Sequence, residues 1–165
     1  MPSSEISRAN CRSKMNKRKA IVGTRFQEIA NHLPKGSPEF NYFDPISHGT
    51  PRNVFYFDRE DVLAIFFPSV NIPEAQEGEP NYLMVTLGAH DKTTPDFMEG
   101  QPTTILMGVK AEKLTPTGEI DFASMRVVPV GSLEPNFKPD LNMDLEIVGY
   151  EYPPSSGIDD VPPSV

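Results

Sequence analysis

The chain has 165 residues, 18 of them proline, and carries 15 Lys and Arg against 23 Asp and Glu for a net charge of −8. Those figures fit one compact domain and argue against a long coiled coil or a collagen-like repeat, and 15 aromatic residues argue against a wholly disordered chain. No run approaches the ~18 consecutive apolar residues of a membrane helix, and the N-terminus has no apolar signal core, so a protein without a membrane span, cytoplasmic or already processed, is expected.

Residues 1–12 are polar and aperiodic, and the expectation is a basic, flexible tail over 1–14 ahead of one domain over 15–151. Cys11, the single cysteine, falls in that tail. It can form no intrachain disulfide, and a mobile tail offers a nucleophile neither an oriented base nor an oxyanion hole. Val22, Phe26, Ile29 and Leu33 recur at helical spacing. Thr24 and Gln27 have capping-box form, so the helix starts at Thr24 or, with Gly23 as a weak point, near Ser13. Pro34 and Gly36 end it.

Residues 34–53 read as an aromatic, ordered loop. A β-like run covers residues 53–57. Asp58 is placed as an N-cap, Asp61 sits at N3, and Phe57 and Val62 are spaced for a hydrophobic staple. Val62, Leu63, Phe66 and Phe67 form the expected buried face of this second helix, and Pro68 stops it.

Tyr82 to Ala89 is a strand with apolar residues on both faces, so cover is expected on both, from the two helices on one face and from loops or another subunit on the other. Thr103 to Leu114 is the next, with Ile105, Met107, Val109 and Ala111 on one face. Thr115 to Gly118 is a turn. Ile120 to Phe122 and Met125 to Val130 are weaker strand segments, and Leu145 to Tyr150 is the last strand. A proline-rich tail is expected over 152–165. Helices followed by strands on hairpin-type connections predict an α+β fold: a mainly antiparallel sheet of three to five strands with two helices packed on one face.

Two regions invite a functional reading. His90, Asp91, Asp96 and Glu99 crowd the loop after the first long strand, and imidazole with carboxylates can hold a divalent metal for hydrolysis. Their spacing matches neither an EF-hand nor H-E-x-x-H, and a solvated hairpin loop has the same composition. The second region is the basic N-terminal segment. Residues 1–25 carry seven basic residues against Glu5, a net +6, so the remainder is −14. Lys14, Lys17, Arg18, Lys19 and Arg25 are candidate partner contacts, or a solvated face folded against the acidic body. No aromatics interleave with them and the body repels polyanions, which argues against nucleic acid.

The runs Val54-Phe-Tyr-Phe-Asp58, Tyr82-Leu-Met-Val-Thr-Leu-Gly88 and Thr104-Ile-Leu-Met-Gly-Val109, with Pro153-Pro154 at the end, resemble a set of small uncharacterised bacterial α+β proteins. The resemblance implies a capped helix before two central strands. It brings no activity, cofactor or catalytic residue. The reading of the whole chain is a non-enzymatic protein-binding or self-associating module, with a metal-assisted hydrolase at residues 90–99 as the alternative.

Overall fold

The computed structural model describes residues 3–48, 54–152 and 163–164. Its elements in chain order are β1 (Ser4–Ser7), α1 (Arg8–Ala30), α2 (Pro38–Phe43), α3 (Pro45–His48), β2 (Val54–Asp58), α4 (Arg59–Phe66), β3 (Tyr82–Ala89), β4 (Pro102–Lys110), β5 (Arg126–Val127), a 3-10 turn (Met143–Leu145) and β6 (Ile147–Tyr152). The fold is α+β. Six strands form one antiparallel sheet in the order β1-β6-β4-β3-β2, with β5 paired to β4 beside β6.

The expected flexible tail is instead a strand and the start of a helix. Ser4–Ser7 pairs with β6. Ser7 then caps α1, its side chain accepting from the Asn10 backbone N–H at 3.3 Å. Ile6, the one apolar residue of β1, is buried in the core. The helix runs straight through Gly23 and Thr24, so neither the weak point nor the capping box marks its start. A Gly costs a helix only about 1 kcal/mol, and packing along 23 residues outweighs it.

Residues expected to form a loop after Pro34 hold two short helices. Ser37 caps α2 through the Phe40 N–H, with Pro38 at its first position, the preferred site for proline. Phe43 and Tyr42 then close on Phe26 of α1, with ring centroids 5.2 and 6.3 Å away.

The alternation expected of β3 and β4 holds. Register places Tyr56, Met84 and Met107 in one row and Val54, Thr86 and Ile105 in another, all on the face beneath α1. Ile105 and Val109 are fully buried there, with Met84, Met107, Val148 and Cys11 around them. Gly88 lets the helix come this close. A Cβ at that position would lie 3.0 Å from Lys14 Cβ and 3.1 Å from Ile105 Cδ1.

The other expected helix packing fails. Asp58 occupies the N-cap position of α4 but makes no side-chain cap hydrogen bond. Val62 and Leu63 are half-buried, whereas Phe66 and Phe67 are exposed. The cause is position: α4 is two turns long and follows the outermost strand β2, so its packing falls on the sheet's edge, against β2 and β3. Of the expected last strands, residues 120–130 supply only the two residues of β5 and an isolated Leu114–Ile120 bridge, while β6 starts at Ile147. The proline-rich end lies, but for residues 152, 163 and 164, outside the described residues.

Candidate functional site

The loop from His90 to Gln101 closes the β3–β4 hairpin through His90 N–H to Gln101 O and Gly100 N–H to His90 O. Its four metal candidates are not brought together. His90 is buried and stacks flat on Phe97, with centroids 4.3 Å apart. Asp91 is exposed and accepts from the Ser13 hydroxyl at 2.9 Å. Glu99 is exposed and pairs with Lys17. Asp96 is exposed. Among the described residues no group of three His, Cys, Asp or Glu side chains converges to hold a metal ion.

What the loop does build is a contact with α1. Lys14 Nζ donates to both carboxylate oxygens of Glu151, at 2.5 and 2.7 Å, in a pair almost removed from solvent. The same ammonium lies 3.4 Å from His90 Nδ1, and His90 Nε2 lies 3.8 Å from Glu151. With Lys14 as donor, the assigned state of the ring is neutral with Nδ1 accepting. Burial and then the Lys14 charge push the His90 pKa below its ordinary 6.5. The Ser13 hydrogen bond holds Asp91 below its usual range.

The basic candidates therefore divide. Lys14 and Lys17 are held by Glu151 and Glu99, and Arg18 is half-buried, which leaves Lys19 and Arg25 exposed. The positive segment lies against its own acidic body, the alternative that the charge distribution offered. His32 is exposed and 58 residues from His90, and the side chain of His48 is outside the described residues.

The face of the sheet opposite α1 is the feature that stands out. Register sets Phe55, Val85, Leu106 and Tyr150 in one row across four strands. Phe57 and Leu83 lie in the row on one side, and Leu87, Thr104 and Tyr152 in the row on the other. Phe55 and Phe57 are 55 % and 46 % exposed, Tyr150 and Tyr152 38 % and 41 %. Leu83, Val85, Leu87 and Leu106 are half-buried. At ~200 Å² per ring, the four aromatics alone leave about 350 Å² bare. Pro80 reaches over Gly108 at one margin of this face, so the two-sided cover expected of β3 is incomplete. The two apolar faces of β3 are legible in its own alternation, whereas the aromatic flanks come from the distant strands β2 and β6.

A third feature lies beneath α1: a cavity of about 320 Å³ lined by Cys11 and by methionines of the helix and sheet, with Arg8 and Arg12 also in its wall. Burial, partly offset by Arg8, raises the Cys11 thiol pKa above its ordinary 9.0.

No described helix is long and apolar enough to cross a membrane. Comparison with protein-family models, with curated proteins and with solved structures finds no match.

Proposed function

We propose that this chain is a non-enzymatic assembly module that works by self-association, with a second copy covering the open face of the sheet. The observation that carries the reading is the row Phe55–Val85–Leu106–Tyr150, its two aromatic ends exposed and its centre half-buried.

Three arguments favour a second copy. The row reads aromatic, aliphatic, aliphatic, aromatic. A two-fold axis along the strands lays it on its own reverse, Phe55 over Tyr150 and Val85 over Leu106 of the other copy, as an isologous interface requires. The row itself carries no charge, and Glu5 follows only at its β1 end, so nothing within it opposes its own image. The size also fits. With the half-buried aliphatics added, the face offers roughly 500 Å² per copy, or about 1,000 Å² for the pair, the lower limit for a specific interface. That size predicts a reversible, concentration-dependent dimer with sheets packed face to face.

Sedimentation velocity between about 1 and 200 µM tests this. The wild-type protein is expected to move from monomer to dimer within that range. Tyr150→Lys and Phe55→Lys, folded by circular dichroism, are expected to remain monomeric. A wild-type protein that stays monomeric throughout, or lysine variants that dimerise equally well, would overturn the proposal.

A further inference from the structure

The chain has eight sulfur atoms, one from cysteine and seven from methionine. Five of them, from Cys11, Met15, Met84, Met107 and Met125, line one cavity beneath α1. The helix contributes two, since residues i and i+4 share a helix face, and β3, β4 and the segment before β5 contribute one each. Cys11 Sγ lies 3.7 Å from Met15 Sδ and 3.7 Å from Met107 Sδ. Leucine would fill the same volume with better-defined rotamers, so what sets this wall apart is its sulfur.

We propose that Cys11, Met15 and Met107 form a binding site for one soft monovalent cation of the copper(I) class. Thiolate and thioether sulfurs select such ions over hard or borderline ones. Two sulfurs at about 2.3 Å from one ion in three-coordinate geometry stand about 4.0 Å apart, close to the 3.7 Å found here on both sides of Cys11. Charge balance also fits an apolar cavity. As the ion binds, the thiol releases one proton and forms one metal–sulfur bond. The monovalent cation and the thiolate cancel, and no net charge is buried. A divalent ion would leave one uncompensated. Arg8 and Arg12 do not bar entry as free cations, because they pair with Glu146 and Asp144.

The test is anaerobic titration of the reduced, full chain against copper(I) held by bicinchoninate. One equivalent should transfer to the protein, and Cys11 should lose its reactivity toward iodoacetamide in step. Met15→Leu with Met107→Leu conserves volume, so the fold should survive, while affinity falls at least tenfold. Met143→Leu, a change at an exposed methionine, should bind as the wild type does, and Cys11→Ser should not bind. If no copper leaves the chelator, the sulfurs are packing atoms and the proposal is overturned. It is equally overturned if the double leucine variant binds as tightly as the wild type, since the thiol would then be acting alone.

Discussion

The two faces of this sheet divide polar and apolar groups in an unexpected way. Beneath α1, Lys14, His90 and Glu151 are withdrawn from solvent together, and Thr86 and Thr103 are buried beside the apolar core. On the opposite face the residues are mostly apolar, yet four aromatic rings stand partly in water. A buried ion pair is weak evidence for stability, because desolvation offsets its attraction. What the Lys14–Glu151 pair does is join α1 to β6 at one point away from solvent. An exposed apolar face is equally weak as a stabilising feature of the isolated chain, and it marks an interaction surface. One face thus carries the helix, and the other leaves its aromatic rings partly in solvent.

The largest expected effect comes from breaking the covered face. Lys14→Met strands Glu151 as an unpaired buried charge and should cost about 3 kcal/mol or more, measured by urea unfolding. Lys14→Met with Glu151→Leu should recover most of that loss, because both charges leave together. A double variant no better than the single would show that the pair does more than cancel charge. Gly88→Ala comes next. Its Cβ would press on Lys14, Ile105 and Thr103, and overpacking of this kind costs about 1–3 kcal/mol.

On the open face the prediction is opposite in kind. Phe55→Lys should change the stability of the dilute monomer by no more than about 0.5 kcal/mol while removing the dimer. Loss of fold instead would mean that this face supports the monomer, and the contrast between the faces would collapse. The smallest effect concerns pH. Because the folded state lowers the His90 pKa below 6.5, the unfolded chain binds more protons as the pH falls through that value. Stability present above pH 6.5 should therefore decline as the pH drops toward the folded-state pKa. Lys14, Glu151 and Asp91 are the charged groups facing the ring. Urea midpoints at pH 7.5 and 5.5 measure the decline, and His90→Gln should flatten it.

The alternation of β3 and β4 could be read directly, down to Ile105, Met107, Val109 and Ala111 as one inward set. So could the apolar character of both faces of β3. The start of α1 could not. Its inward positions include Lys14 and Arg18, which read as solvent-facing until Glu151, 137 residues away, is seen to receive Lys14. β1 was equally hidden, since Ser-Glu-Ile-Ser becomes a strand only by pairing with β6. At loop 90–99 the sequence could not reveal that Asp91 and Glu99 reach Ser13 and Lys17 of α1, because those partners lie 78 and 82 residues away. The cluster of sulfurs had no sequence signature, for its members come from distant segments.

By itself the sequence determined β3 and β4, their inward and outward residues and the antiparallel α+β class. Side-chain alternation is a property of local backbone geometry, and neighbouring residues suffice to reveal it. The tertiary structure alone decided which face is covered. That choice rests on where α1 lands, and α1 lands where Gly88 leaves room and Glu151 meets Lys14. Neither contact is local, so no window along the chain contains it.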